Sequence, residues 1–369
     1  MIVAPSMLTP YFSASAFTVA SSPIKIRFAV FSSKIFAAAR SVLSSSDSGN
    51  TIVFISCLAL SLIPSINLEK NINLTNFIKG LKFKNHAKCY NKANELGEYM
   101  STYTIQNSFV SVTIDEHAAE IHSFFDRETN IEAMWQGDKT YWAGRNPILF
   151  PMVGKTWDGI LHIQGNEYHT GNHGFARNSE FKCIKHTDTQ IVMELCDSEE
   201  TLAQYPFHFR LEVTYTLEGK KLDIAYRIEN RNTCVMPFNF GLHPAFNCPI
   251  EKDKTFDAYR LELNQKEILN NQEVDEIALD KDALKKTIII QNPRSTCTKL
   301  TDGIHGVQVE YQGYPWLAYW SPYAPFVCIE PWYSHTDFEK NEVPFEKREG
   351  TILLDENDSW QTAYSITLF

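Results

Sequence analysis

The run Phe209-Arg210-Leu211-Glu212-Val213-Thr214-Tyr215-Thr216-Leu217 alternates apolar and polar side chains without a break. After Glu218-Gly219-Lys220 the alternation resumes from Leu222 to Ile228. A period of two puts every second side chain on the same face of a strand, whereas a helix would scatter these apolar residues around its axis. Two such runs joined by a short Gly-containing turn predict an antiparallel hairpin with one buried face. Further strand candidates are Phe109 to Ile114, Glu120 to Asp126, Ile191 to Leu195, Tyr259 to Leu263, Lys286 to Gln291, Val307 to Tyr311, Trp316 to Trp320, Phe326 to Ile329 and Gln361 to Phe369. The expected class is all-β, a large antiparallel β-sandwich. Helix signals are few. Asp197 is followed three residues later by Glu200 and the segment stops before Pro206, which predicts one short capped helix. The charged segment from Lys266 to Lys285 is expected to be a loop with a second short helix.

The charge distribution divides the chain near residue 100. Residues 1–100 carry ten Lys/Arg and four Asp/Glu, and the remainder carries 24 basic against 40 acidic residues. The first 46 residues have no acidic side chain, and Thr51 to Ile66 is an apolar run broken by Ser and Pro. Alone, this resembles a signal or transit segment, but the apolar run is too short and interrupted for a membrane span and starts too far from the N-terminus for a signal core. The expectation is an N-terminal extension over 1–100, poorly ordered or a gene-model artefact, and one domain over 101–369. Strand pattern begins directly after Met100, and Leu96-Gly97-Glu98 could be encoded by a purine-rich, ribosome-binding-like stretch, so translation is expected to start at Met100. Intact-mass analysis of the native protein tests that point.

Eight cysteines show no C-x-x-C or other metal-ligand spacing, and a body of this length needs no disulfide staples. Reduced thiols and a cytoplasmic location are therefore expected. The acidic body disfavours nucleic acid and anionic membrane as partners. No phosphate-binding glycine loop, dinucleotide fingerprint or H-E-x-x-H spacing occurs, so acid/base side chains are expected to act without metal or cofactor.

Three short segments carry that chemistry. In Gly241-Leu242-His243-Pro244 the proline restricts its predecessor to extended geometry, which holds His243 at a strand end, and imidazole can donate a proton near neutral pH. A satisfied structural histidine fits the same residues. Glu330 lies between the apolar Phe326-Val327-Cys328-Ile329 and Pro331-Trp332, where poor solvation raises a carboxyl toward the range of a general base. Its alternative is a Glu satisfied by a buried Arg. Asn172-His173-Gly174-Phe175-Ala176-Arg177 adds His173 and Arg177, and Gly144-Arg145-Asn146-Pro147 adds Arg145. The guanidinium fork suits sugar hydroxyls or carboxylates, and either Arg could instead serve in an ion pair. Of Trp142, Trp157, Trp316, Trp320 and Trp332, the last is the best placed beside Glu330 to serve as a flat plate for a sugar.

Taken with Tyr205-Pro206-Phe207-His208-Phe209, these blocks resemble the aldose 1-epimerase (galactose mutarotase) superfamily, and its LacX-like branch in particular, from about Tyr103 to Phe369. The resemblance implies a β-supersandwich and interconversion of the α and β anomers of a hexose. It implies that Glu330 is the base taking the C1 hydroxyl proton, that His243 is the acid protonating the ring oxygen, and that His173 and Arg145 bind substrate. The family's sugar-binding Asp has only Asp337 as a candidate, and Pro-Ala-Phe after His243 departs from the galactose-specific pattern. A small-molecule sugar is the expected partner, with the chain a monomer or homodimer. The rival readings are a hexose-6-phosphate 1-epimerase, with Arg145 and Arg177 beginning a phosphate site, and a non-catalytic carbohydrate-binding sandwich. A glycoside hydrolase would need two opposed carboxylates, and Glu330 has only imidazoles near it in these motifs.

Overall fold

The computed structural model describes residues 101–369, so the expectations about residues 1–100 lie outside the described residues. The expected hairpin is there. Phe209–Glu218 pairs antiparallel with Lys221–Asn230, and Phe209, Leu211, Val213, Tyr215 and Leu217 are buried while the intervening residues are half-buried. On the wetter face Arg210 lies among Glu194, Glu212 and Glu229.

This hairpin is part of a nine-stranded antiparallel sheet whose central strand is Ser359–Leu368. Its order is Gln272–Ala278, Arg260–Leu269, Cys297–Thr301, Gly306–Glu310, Ser359–Leu368, Lys221–Asn230, Phe209–Glu218, Gln190–Cys196 and Lys182–His186. A six-stranded sheet is built from Ile288–Gln291, Trp316–Trp320, Phe326–Trp332, Gly241–Leu242 and Ile148–Leu149, with Ala245–Asn247 also paired to Phe326–Trp332. Thr102–Gln106, Val110–Asp115, Ile121–Asp126 and Ile131–Glu132 form a four-stranded sheet.

The two larger sheets meet through aromatic rings. Phe150 packs edge-on against Phe209 at 5.0 Å, Phe240 against Tyr226 at 5.0 Å, and Phe240 against Trp360 at 5.3 Å. Each fully buried Phe contributes roughly 1.5–3 kcal/mol of burial, so this interface fixes the six-stranded sheet firmly on its support.

Two local expectations shift. The first helix, Glu199–Gln204, is capped by Ser198, whose side chain accepts from Thr201 N while Thr201 Oγ1 accepts from Ser198 N. Asp197 is engaged elsewhere, accepting from Phe209 N at 3.0 Å and lying 2.7 Å from His208 Nδ1. The segment 266–285 is mainly a hairpin, Arg260–Leu269 with Gln272–Ala278, followed by the helix Lys281–Lys286. Asn270 and Asn271 both take positive φ (50° and 63°), which makes the tight two-residue turn that charge content alone concealed. Among the described residues no helix is long and apolar enough to cross a membrane.

Candidate active site

Glu330 lies inside a strand rather than at its end, because Phe326–Trp332 continues through Pro331. The neighbouring chain is interrupted beside it: Gly241–Leu242 and Ala245–Asn247 flank a break at His243-Pro244. Gly241 pairs with Trp332 and Ala245 with Cys328. The same register sets His243 opposite Glu330, and the two side chains meet with His243 Nε2 3.3 Å from Glu330 Oε2. Gly241 is required for this packing, since a Cβ there would lie 2.8 Å from Trp332 Cδ1.

Both members of the pair are out of water, at 7% exposure for His243 and 2% for Glu330. Burial pushes the Glu330 carboxyl well above the usual carboxylate range, and the Trp332 indole pulls the other way. Burial, His173 and Arg177 together push His243 well below its ordinary value. Each group therefore favours its neutral form.

His173 stands edge-on to His243, ring centroids 5.7 Å apart. Its backbone φ is +67° and it is tied twice to Gly154: His173 N donates to Gly154 O at 2.7 Å, and Gly154 N donates to His173 Nδ1 at 3.0 Å. Accepting at Nδ1 leaves Nε2 to carry the ring proton. Burial, then Arg177, lowers its pKa to about 4, so His173 is a neutral N–H donor. Gly174, φ +72°, lets this loop lie directly on the Phe150 backbone, where Phe175 N donates to Phe150 O at 3.0 Å.

Arg177 is half-buried and makes no hydrogen bond or ion pair of its own among the described residues, although its charge is felt by both histidines. Arg145 sits beside the His243-Pro244 segment through its carbonyl, which accepts from Ala245 N at 2.8 Å. Its guanidinium is already engaged, with Nη1 3.3 Å from His122 Nε2 and Nη2 donating to Gln136 O at 3.0 Å. Asp337 is fully occupied. Its Oδ2 accepts from Arg348 Nη1 at 2.6 Å and Trp157 N at 2.8 Å, and its Oδ1 from Asn341 Nδ2 at 3.0 Å. It walls a cavity of about 240 Å³ with Asn239, Ser334, His335 and Arg348. The geometry thus brings Glu330, His243, His173 and Arg177 together, and gives Arg145 and Asp337 protein partners.

Trp332 packs against Leu149, Val153, Trp316 and Ala318. The ring that lies face to face on His243 is Trp142, at 4.7 Å and 30°, with Trp320 edge-on at 5.5 Å. Glu120 is another residue the motif argument did not single out. It is buried and its Oε1 accepts from Arg145 N at 2.9 Å and Asn146 N at 3.1 Å. Its signal was the density of ionisable groups in Asp115-Glu116-His117-Ala118-Ala119-Glu120-Ile121-His122, across the turn that joins two strands. The ligand atoms of His243, Cys328 and Glu330 lie within 4.8 Å of one another, a grouping that could hold a metal ion. A tetrahedral zinc site has ligand-to-ligand edges of about 3.3–3.8 Å, and burial favours the protonated forms of both Cys328 and Glu330. The six described cysteines are free thiols.

The family model for aldose 1-epimerase matches residues 101–367. The chain belongs to the aldose 1-epimerase family. Within it the chain is of the LacX-like branch: it is 28% identical to the chromosomal LacX protein of Lactococcus lactis subsp. lactis, over 72% of this chain and 99% of that one. Among solved structures it is similar to a galactose mutarotase related enzyme from Lactobacillus acidophilus, with TM-score 0.68, 30% identity and coverage of 73% and 97%. A galactose mutarotase-like protein from Lactobacillus casei gives TM-score 0.68 and 29% identity, with coverage of 73% and 100%. The fold is the galactose mutarotase-like antiparallel β-supersandwich, and the family is one of isomerase-type enzymes acting on sugars.

Proposed function

We propose that this aldose 1-epimerase family member is a mutarotase that interconverts the α and β anomers of a hexose without a metal or cofactor. The observation that carries the reading is the buried His243–Glu330 pair, 3.3 Å apart, in a family defined by this reaction. Ring opening needs a proton removed from the C1 hydroxyl and one delivered to the ring oxygen. A pair that already holds one proton supplies both needs, because converting its neutral form to Glu330 carboxylate and His243 imidazolium moves a proton across the site rather than from solvent. Glu330 then takes the hydroxyl proton, His243 protonates the ring oxygen, and rotation about C1–C2 precedes closure on the other face with the roles reversed. His173, a neutral donor, and Arg177, an unsatisfied cation, face the sugar's oxygens. Positioned general acid–base groups contribute roughly 100- to 10,000-fold each, enough for a reaction that already proceeds slowly in water. Trp142 covers His243 in this conformation, so sugar entry requires that ring to swing away.

Arg177 also favours a second reading. A half-buried guanidinium with no protein acceptor of its own among the described residues suits an anionic substituent, as in a hexose 6-phosphate. Magnetisation exchange between the anomeric protons, recorded with glucose, galactose and glucose 6-phosphate, tests both. Faster exchange that disappears in Glu330→Gln and His243→Ala is the expected result, and the ranking of the sugars decides between the two substrates. A folded protein that binds these sugars but accelerates none would leave a carbohydrate-binding module instead.

A further inference from the structure

The loop between Gln136 and Arg145 brings Trp142 onto His243, and its roots are unusually constrained. Its tip is exposed at residues 138–141, while Trp142 turns inward. Tyr141 N and Trp142 N both donate to Asp138 O at 3.0 Å, and Trp135 Nε1 donates to Trp142 O at 2.8 Å. Glycines at both ends allow the fold-back. A Cβ on Gly144 would lie 2.6 Å from the Trp142 ring, and one on Gly137, φ +68°, would lie 2.8 Å from Arg145 Cζ. The Arg145 guanidinium thus fills the space under Gly137 and ties the two roots together by donating to Gln136 O.

Behind Arg145 stands His122, and behind His122 stands Asp115. Arg145 Nη1 lies 3.3 Å from His122 Nε2, and His122 Nδ1 lies 3.5 Å from Asp115 Oδ2. Asp115 is fully buried, and its Oδ1 accepts from His117 N at 2.7 Å. A guanidinium has only donors, so Nε2 must offer a lone pair. That requires the proton on Nδ1, which is the nitrogen facing the carboxylate.

We infer that Asp115 and His122 are positioning residues: Asp115 fixes the Nδ1–H tautomer of His122, His122 fixes Arg145, and Arg145 holds the loop that places Trp142 over His243. The charged and titratable groups around His122 are Arg145, Asp115 and His117. Burial first, then Arg145, lowers the His122 pKa to about 4, consistent with a neutral ring at working pH. The inference uses the mutarotase reading only for its consequence in turnover; the mechanical part stands without a sugar.

The chain of contacts, an ion-pair approach of 3.5 Å between Asp115 and His122 followed by the His122–Arg145 hydrogen bond, dictates an unusual test. In Asp115→Asn the amide oxygen stays on His117 N–H, so the NH2 faces His122 Nδ1 and forces the ring proton to Nε2, donor against donor with Arg145. His122→Gln places an amide oxygen near the Nε2 position and accepts from Arg145 whatever occupies position 115. Hydrogen–deuterium exchange is followed on the peptide spanning residues 136–145 in the full chain. Asp115→Asn is expected to speed exchange at Tyr141 and Trp142 roughly tenfold, the effect of losing one charge-assisted hydrogen bond. His122→Gln, and the double variant with Asp115→Asn, should stay within about twofold of the parent. In the anomer-exchange assay the same pattern should appear in KM, with kcat little changed. Unchanged loop exchange in a folded Asp115→Asn protein overturns the inference. So does an Asp115→Asn effect that persists undiminished when combined with His122→Gln, which would make Asp115 merely structural. If Asp115→Asn does not fold, His122→Leu against His122→Gln asks the same question: fast exchange in the first and slow in the second is expected, and equal rates overturn it.

Discussion

Gly174 gives the sharpest test of how the backbone builds this site. Replacing it with alanine would set a Cβ 2.5 Å from Phe150 C and 2.8 Å from Pro151 N, and closer still to the Phe150 carbonyl oxygen. All three are backbone atoms, which cannot rotate away. The residue also sits at φ +72°, where an L side chain adds about 1–2 kcal/mol. Forcing the loop off Phe150 adds the cost of overpacking, about 1–3 kcal/mol or somewhat more. The sum, roughly 2–5 kcal/mol, corresponds to a melting temperature lower by roughly 5–15 °C for a domain of this size. Gly165→Ala is the control, since Gly165 has φ +78° but nothing within 4 Å of the added Cβ. It should lose only the conformational part, roughly 3–6 °C. Differential scanning fluorimetry measures both, and anomer exchange measures whether His173, one residue away, has shifted. If the two variants melt within about 2 °C of each other, steric contact with Phe150 is not what demands glycine there.

Other outcomes follow from the same geometry. Glu330→Gln should cut anomer exchange at least a hundredfold without lowering the melting temperature at pH 8. The folded-state pKa of Glu330 is raised, so its ionisation opposes folding as pH rises above the unfolded value, and the amide removes that cost; a large loss of stability at pH 8 would contradict this. The acid limb of kcat/KM should fall below pH ~6.5, because turnover stops when Glu330 and His243 are both protonated and no base remains, and the pKa of His243 is lowered. Trp142→Ala relieves the burial that is the first cause of this shift, so the acid limb should move up in pH; a pH profile that stays put would dissociate Trp142 from His243. Asp337→Ala leaves Arg348 buried without its partner and should cost about 3–5 kcal/mol in a denaturant melt, whatever its effect on KM.

Fold class was legible because period-two alternation is a local signal: Phe209 to Leu217 cannot bury its apolar half in any other regular conformation. The hairpin at Asn270-Asn271 was not, because Lys266 to Lys285 has many charged residues and its strands bury few of them, so the turn dihedrals rather than an apolar face define it. The segments bearing His243, Glu330, His173 and Arg177 could be picked out by their Gly and Pro neighbours, which announce unusual backbone. Sequence alone left open whether the carboxyl and imidazole meet. Their meeting depends on an antiparallel register that pairs residues far apart in the chain, Gly241 with Trp332 and Ala245 with Cys328.

The same distinction explains the aromatic and arginine assignments. Trp332 follows Glu330 by two residues, yet it packs into a neighbouring cluster, while Trp142 reaches His243 from a distant loop folded back at Gly144. Arg145 and Asp337 carry ligand-like groups, and only the folded chain reveals that His122, Gln136 O and Arg348 already engage them. Local pattern and motif order are enough to specify the fold class, the chemistry on offer and the family. Which groups lose water together is settled only when distant strands come into register, and that shared burial shifts the pKa of His243 down and that of Glu330 up.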